Sequence, residues 1–184
     1  MQRPFQEKIL VYRVQAKQDT EAFAVLYDKY VEKIYRFVYF KVSNKEEAED
    51  ITSEVFLHIW QYLIRETEKG VVNFRGLLYR ITRNQIVDYY RRRAKRQEEG
   101  LEMVEEIPGE NKGIEEINFQ QEAAVLFEEI KKLKQEYQEA IFLRYIEDYS
   151  IGEIASILGK GKTAVRVTIH RAKKALKLLH GPQS

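Results

Sequence analysis

Apolar residues recur at steps of three and four along most of the chain. The spacing holds over residues 23–38, 48–59 and 119–133, and it places apolar side chains on one face of an α-helix. The three prolines lie outside these periodic segments, and no segment alternates between polar and apolar residues as a half-buried strand does. The sequence therefore predicts an all-α protein.

Polar residues ahead of the periodic segments predict where the helices begin. Asp19 precedes the first segment, and its carboxylate can accept a hydrogen bond from the backbone of the first turn. Ser43 followed by Glu46 has the spacing of a capping box, which predicts that the second helix opens at Ser43. A third helix is predicted to follow Asn73 and to reach residue 95.

The charge of the chain changes sign twice along its length. The 184 residues have a formal charge of +2, but residues 1–96 carry +6, residues 97–122 carry −8 and residues 123–184 carry +4. The middle stretch holds nine Glu against one Lys and includes Pro108, a composition typical of a solvated linker. We therefore expect two small helical domains, 1–96 and 123–184, joined by an acidic flexible linker over residues 97–122.

Composition argues against several classes of protein. The chain has no cysteine and only three scattered histidines, so neither a disulfide framework nor a Cys-ligated zinc site is expected. We predict no metal, no cofactor and no catalytic residue, and hence no enzyme activity. No apolar signal segment follows the N-terminus, and no run of about 18 apolar residues occurs. This predicts a cytoplasmic protein without membrane insertion.

A helix-turn-helix pattern lies near the C-terminus. Ser150 and Glu153 form a second capping box, Gly159 is placed to end the short helix that follows, and another helix is predicted near Lys162. Residues 160–177 include seven basic residues and no acidic one, which favours contact with phosphate. The outer face of the last helix holds the candidate DNA-contacting residues Lys162, Thr163, Arg166, Val167, His170 and Arg171.

Two other interpretations of this region are open. The same pattern fits a helical hairpin whose basic face is simply solvated. Gly161, Lys162 and Thr163 also imitate the end of a phosphate-binding loop, which would indicate a nucleotide hydrolase. Against that, Ser156 stands where such a loop requires glycine, and the preceding segment is predicted to be a helix rather than a strand.

A basic, aromatic segment precedes the linker. Residues 70–96 carry eight basic residues and one acid, with Tyr79, Tyr89 and Tyr90 among them. Arginines can follow a nucleic-acid backbone while aromatic rings stack on unpaired bases, so the segment is a candidate for binding single-stranded nucleic acid. The alternative is that the tyrosines belong to the core and the arginines to solvent.

The second predicted helix has a face of opposite character, which we call the acidic face. Steps of three and four align its members, away from the apolar stripe. The acidic face comprises Asp50, Ser53, Glu54 and Leu57. Such a face is often only solvated, but carboxylates beside an exposed leucine can also dock a basic helix of a partner.

The order of these parts resembles the extracytoplasmic-function sigma factors of bacterial RNA polymerase over nearly the whole chain. AEDITSEVFLHIW (residues 48–60) is similar to the polymerase-binding segment of that family, and FRGLLYRITRNQIVDYYRRR (residues 74–93) to its minus-10-reading helix. YSIGEIASILGKGKTAVRVTIHRAKKAL (residues 149–176) is similar to its minus-35-reading helix-turn-helix. The resemblance implies a transcription initiation factor that binds core polymerase, directs it to promoters and helps to melt the DNA.

The resemblance also implies partners and residue roles. Core polymerase would be bound through its flap and the clamp helices of its largest subunit, the latter facing the acidic face. Residues 69–76 with Asn84 would form a pocket for a flipped base of the non-template strand. The residues implied at the minus-10 element are Arg75, Tyr79, Arg80, Arg83 and Asn84, and the six residues of the last helix would contact the minus-35 element.

Other implications concern the linker and regulation. The resemblance implies that the tether follows the RNA path through the polymerase cleft, where glutamates could mimic a phosphate backbone; the alternative is a solubilising spacer. An anti-sigma factor is also an implied partner. The rival interpretation is a helix-turn-helix transcriptional regulator that does not act as a polymerase subunit.

Overall fold

The computed structural model describes residues 4–66, 73–98 and 121–180. The chain divides into two compact units between Pro108 and Gly109, inside the acidic stretch, most of which lies outside the described residues. Every regular element in the described ranges is helical, which confirms the all-α prediction. Within those ranges, no helix is both long and apolar enough to cross a membrane.

In the part of the first unit that the structure describes there are four helices: α1 (Pro4–Lys17), α2 (Thr20–Val42), α3 (Lys45–Arg65) and α4 (Phe74–Glu98). The three longer helices pack against one another, and α1 contacts all three. The sequence analysis did not predict α1, whose buried apolar residues include Val11 and Val14. Helix α4 also runs three residues beyond its predicted end.

The helix starts of this unit test the capping predictions. Asp19 caps α2 by accepting a hydrogen bond from the Ala22 N–H at 2.9 Å, as predicted. The prediction for α3 was wrong by one residue, since Asn44 is the N-cap and accepts from the Glu47 N–H. Ser43 instead ends α2 in the left-handed conformation, and its N–H donates to the Tyr39 carbonyl, which leaves the next residue to start α3.

The core of the first unit is rich in aromatic side chains. Tyr30, Phe37, Phe40 and Tyr79 are among its largest fully buried residues. The Phe37 and Tyr79 rings meet edge to face with centroids 5.4 Å apart. Burying a large apolar side chain stabilises a fold by about 1.5–3 kcal/mol, so this cluster is a main source of the stability of the unit.

The second unit contains α5 (Gln121–Lys131), α6 (Gln135–Ile141), α7 (Ile151–Leu158) and α8 (Lys162–His180). A π-helical turn, Phe142–Ile146, extends α6, and its Glu147 N–H donates to the Phe142 carbonyl five residues back. Helix α8 packs against the other three. The core side chains are Ile130, Ala140, Phe142, Leu143, Ile154, Val165, Ile169 and Ala172.

The turn between α7 and α8 has the geometry that the sequence predicts. Ser150 and Glu153 form a reciprocal capping box at the start of α7. Gly159 ends α7 with φ +64°, in the left-handed region, where a side chain is disfavoured. The Lys160 N–H then donates to the Ala155 carbonyl at 3.0 Å, which closes the turn. The second unit therefore carries a helix-turn-helix.

Candidate functional site

The basic helix α4 presents one polar stripe to solvent. Arg80 and Asn84 are exposed and Arg83 is partly exposed, and steps of three and four place the three side chains on one side of the helix. Val87 continues the same stripe and is also exposed; as a residue that is neither basic nor aromatic, it does not stand out in the sequence of this segment. In the first half of α4 this stripe is accessible from solvent.

Tyr79, which the family resemblance places at the minus-10 element, does not belong to that stripe. Its side chain is 0% exposed, and its ring packs on Phe37 in the core. The reason is its position on α4, on the side that faces α2. The alternative interpretation, that the tyrosines belong to the core, holds for Tyr79 and for Tyr89, which is also buried.

Arg75 is held by an intramolecular network. Its Nε donates to the Tyr30 hydroxyl at 2.8 Å and lies 3.6 Å from a Glu7 carboxylate oxygen. The same Glu7 oxygen accepts from the Lys29 amine at 2.9 Å and from the Tyr30 hydroxyl. Burial, together with the neighbouring Glu7 carboxylate, raises the pKa of Tyr30 well above its usual range, so Tyr30 stays a hydrogen-bond donor.

Tyr90 is the tyrosine of this segment that reaches solvent. Its ring is partly exposed, while its hydroxyl donates to the Lys41 carbonyl near the end of α2 at 2.7 Å. Partial burial raises the pKa of Tyr90. The exposed arginines and lysine around it continue to the end of α4 and are Arg91, Arg92, Arg93, Lys95 and Arg96.

The acidic face is set by the amphipathic packing of α3. Ile51, Val55 and Ile59 are buried, and this fixes the opposite side of the helix toward solvent. On that side Asp50 and Ser53 are exposed and Leu57 is 55% exposed. Leu57 therefore lies among polar and acidic side chains on the solvent side of α3.

Glu54, the remaining member of the acidic face, is partly exposed and is paired across to α4. Its carboxylate lies 3.6 Å from the Arg92 guanidinium. Further along the same two helices, the Gln85 amide and His58 Nδ1 are 2.7 Å apart. The sequence analysis did not foresee these links, which bring a residue of the acidic face next to the basic end of α4.

Helix α8 has an apolar buried side and a mostly polar exposed side. Val165, Ile169 and Ala172 form the buried stripe. The six candidate DNA-contacting residues are all exposed: Lys162, Thr163, Arg166, Val167, His170 and Arg171. Val167, 42% exposed, offers a methyl-bearing surface among the cations, of the kind that can contact a thymine methyl group.

The glycine-rich turn before α8 does not have the architecture of a phosphate-binding loop. Residues 151–158 ahead of it are helical, whereas that loop follows a strand. Lys160 is exposed and its amine lies 3.3 Å from Glu136 of α6. In the described ranges no group of three or more His, Asp or Glu side chains could hold a metal ion.

The predicted base-capturing pocket is described only in part. Of residues 69–76, positions 69–72 lie outside the described residues. Asn73 starts α4 by accepting a hydrogen bond from the Gly76 N–H at 2.9 Å, so its amide serves as the helix cap in this structure.

Two family matches cover most of the chain. Residues 26–96 match Sigma-70 region 2, and residues 124–176 match Sigma-70 region 4. The ECF RNA polymerase sigma factor SigW of Bacillus subtilis is 32% identical over 170 residues, covering 88% of this chain and 90% of SigW. BldN of Streptomyces coelicolor, also an ECF sigma factor, is 32% identical over 91% of this chain, which spans 63% of BldN.

Solved structures support the fold. CnrH, in complex with the cytosolic domain of CnrY, superimposes with a TM-score of 0.68 at 21% identity, covering 97% of this chain and 99% of CnrH. RpoE of Bartonella quintana, in complex with the anti-sigma factor NepR, gives 0.63 at 18% identity, covering 88% of this chain and 98% of RpoE. At these identities the likeness concerns the fold.

The structure and the family matches agree on the order of the two units and on the kind of surface that each carries. The first unit carries an acidic face and a basic helix, the second an exposed recognition helix, and both correspond to sigma-factor regions. The chain belongs to the ECF RNA polymerase sigma factors, non-catalytic polymerase subunits that direct the enzyme to promoters.

Proposed function

We propose that this chain docks on core RNA polymerase through the acidic face of α3, reads the minus-10 element with α4 and reads the minus-35 element with α8. The observation that carries the proposal is the exposure of all six candidate residues of α8 opposite a buried stripe. On that exposed side the cations can meet phosphates and Val167 can meet a thymine methyl group. The domain boundaries 1–96, 97–122 and 123–184 remain part of the proposal, and limited proteolysis within 97–122 tests them.

The docking role rests on charge and shape. Asp50, Ser53 and Leu57 are exposed side by side, with Glu54 beside them. A basic helix with an apolar edge complements such a surface, because its cations meet the carboxylates while Leu57 is removed from water. The clamp helices of the largest polymerase subunit are the partner that we propose, and the flap is a further contact on core polymerase.

The minus-10 role falls to the stripe of α4. We propose that Asn84 reads a flipped base, because an amide can both donate to and accept from a base edge. Arg80 and Arg83 would hold the backbone of the same strand. Tyr79 and Arg75 have no direct part in this proposal, since one is a core residue and the other is held by Glu7 and Tyr30.

The minus-35 role falls to α8, with the major groove as its site. Arg166 lies one turn after Lys162, near the end of the helix that enters the groove deepest, and we propose that it contacts a guanine. Arg171 is about 140° away around the helix, and we propose that it binds a phosphate.

The proposal extends to regulation and location. We propose that an anti-sigma factor holds this chain inactive, as RpoE is solved with one, and that the chain acts in the cytoplasm with RNA polymerase. A protein that binds the purified chain and blocks its reconstituted transcription would identify the anti-sigma factor.

Transcription in vitro tests the main proposal. The full chain and core polymerase are incubated with genomic DNA fragments, and transcript starts are mapped. We expect discrete starts that core polymerase alone does not give. Promoter-specific DNA binding without any association with core polymerase would instead favour an ordinary helix-turn-helix regulator.

A charge reversal tests the docking face. Asp50→Arg with Glu54→Arg should abolish co-purification with core polymerase, since both carboxylates are off the buried stripe of α3 and the fold should survive. Asp28→Arg with Glu32→Arg is the matched control, because these α2 residues have the same spacing and are also exposed. Equal co-purification of both double variants would reject the acidic face as the docking site.

A further inference from the structure

Helix α1 contacts the other three helices of its domain, although it is the one helix there that the sequence analysis did not predict. Two polar side chains on it, Glu7 and Gln15, point into the domain and are mostly buried. They are eight residues apart, or about 12 Å along a helix. Each makes a contact with a different neighbouring segment of the domain.

Glu7 holds the start of α4. Its carboxylate is 12% exposed, and a single oxygen of it accepts from Lys29 and from the Tyr30 hydroxyl and lies 3.6 Å from the Arg75 Nε. Arg75 in turn donates to the Tyr30 hydroxyl. Hydrogen bonds to charged groups are stronger than neutral ones when removed from water. The first turn of α4 is therefore tied to α1 as well as to α2.

Gln15 holds the end of α3. Its side chain is 6% exposed, and its amide donates to the Glu66 carbonyl at 2.5 Å. Glu66 is the residue that ends α3, and its own N–H donates to the Tyr62 carbonyl. The last carbonyls of a helix lack partners within it, so this contact from α1 satisfies one of them.

We propose that α1 is a brace that fixes the end of α3 relative to the start of α4, with Glu7 and Gln15 as positioning residues for minus-10 recognition. This inference rests on the proposed function of α4. Arg80 and Asn84 follow Arg75 by five and nine residues on one continuous helix, within about 14 Å along its axis. A shift of the first turn of α4 therefore moves the residues that read DNA.

A positioning role differs from a purely stabilising one in what it does to base preference. Loss of stability lowers the fraction of active protein, which weakens binding to matched and mismatched DNA alike and leaves their ratio unchanged. Displacement of Arg80 and Asn84 changes the ratio itself, because base contacts are more sensitive to small displacements than backbone contacts are.

The test measures that ratio with holoenzyme made from the full chain and core polymerase. The probe is a single-stranded DNA oligonucleotide selected by wild-type holoenzyme from a random pool, and it is compared with its single-base variants. Glu7→Gln, Tyr30→Phe and Gln15→Leu are the test variants, since each removes a charge or a hydrogen bond with little change of size. Arg13→Ala is the matched control, because Arg13 lies on the same helix and the variant breaks an exposed pair with Asp19, the N-cap of α2.

We expect the matched-to-mismatched affinity ratio to fall by about three- to tenfold in the test variants, while co-purification with core polymerase and the ratio for Arg13→Ala stay at wild-type values. An unchanged ratio in all three folded test variants would overturn the brace. If the wild-type holoenzyme itself showed no base preference, both the proposed minus-10 role of α4 and the brace would be rejected. A selective loss in Glu7→Gln alone would reject the part assigned to Gln15.

Discussion

The two helices that we propose to contact DNA, α4 and α8, differ in how much of their circumference is buried. The buried residues of α4 are Phe74, Leu77, Leu78, Tyr79, Thr82, Ile86 and Tyr89, and at 100° per residue they span about 200° of the helix. The buried residues of α8, Val165, Ile169 and Ala172, span about 60°. A helix with a narrow buried stripe leaves nearly all of its polar residues accessible to a ligand. A helix with a wide buried stripe also buries residues, such as tyrosines, that the composition of the segment suggests for ligand binding.

Tyr79 shows what this difference means for interpreting sequence. It lies near one edge of the buried arc of α4, where a tyrosine can belong either to the core or to the surface. The neighbouring helix α2 supplies Phe37 for it to pack on, and the ring goes inside. On α8 no candidate residue lies in that position, so all six remain at the surface.

The largest effect is expected from Tyr79→Ala, which removes a fully buried ring. It should lower the free energy of unfolding of the first domain by roughly 3 to 5 kcal/mol. Trp60, the one tryptophan of the chain, packs on Phe23 in this domain, so its fluorescence during urea unfolding reports on the first domain alone. Tyr79→Phe should cost far less because it keeps the ring, and a wild-type midpoint for Tyr79→Ala would mean that α4 buries less than the structure shows.

The second effect concerns α8, where two arginines on different sides of the helix should contribute to DNA binding in different ways. Arg166→Ala should reduce the free energy of DNA binding by about 1 to 3 kcal/mol and relax base preference at one minus-35 position. Arg171→Ala should weaken binding to all DNA sequences alike and reduce the slope of log affinity against log salt concentration by about one. Titrations against single-base promoter variants at several salt concentrations measure both. Unchanged base preference in Arg166→Ala would leave discrimination to Val167 and His170.

A smaller effect is expected from Gly159→Ala at the turn before α8. An added Cβ would meet nothing within 4 Å, but the residue has φ +64°, so the expected cost is conformational, about 1 to 2 kcal/mol. Amide hydrogen exchange in α7 and α8 should accelerate, while the Trp60 unfolding curve of the first domain should not move. A shift of the Trp60 curve would show that the two domains unfold together.

The smallest effect depends on pH and lies at the start of α2. The Ala22 N–H, with a further contribution from the Arg13 guanidinium, lowers the pKa of Asp19 below its ordinary 3.8. A lowered pKa in the folded state means that the stabilisation is complete above pH 3.8 and is lost as the pH falls through the folded value. Asp19→Asn should therefore be less stable than wild type near neutral pH, and the difference should vanish in acid. Trp60 unfolding curves across pH measure it, and a constant difference would contradict this account.

Features that depend on interactions between residues close in the chain were mostly predicted correctly, and features that depend on distant residues were not. The Ser150 and Glu153 box, Gly159 and Asp19 act within a few residues, and they were predicted correctly. Ser43 was misassigned because Asn44 beside it can cap equally well, and the left-handed end of α2 decided between them.

Helix α1 and the role of Arg75 were missed for the opposite reason. Glu7 meets Tyr30 and Arg75, and Gln15 meets Glu66, all across large separations in the chain. Periodicity and charge counts within a segment carry no information on such contacts. The exposed stripe of α4 could be located only once its buried arc was known.

The ion pair between Glu54 and Arg92 makes the two surfaces of the first domain interdependent. A cation of polymerase that docks at Glu54, as we propose, would compete with Arg92 for the carboxylate, and docking would then loosen the Arg92 guanidinium on α4. Binding free energies are coupled in both directions, and DNA that draws Arg92 away would strengthen docking by the same factor. An exposed pair contributes at most about 1 kcal/mol, which limits the factor to roughly fivefold. With the docking and DNA contacts that we propose, this pair would make binding of polymerase and promoter together mildly more favourable than binding of either one alone.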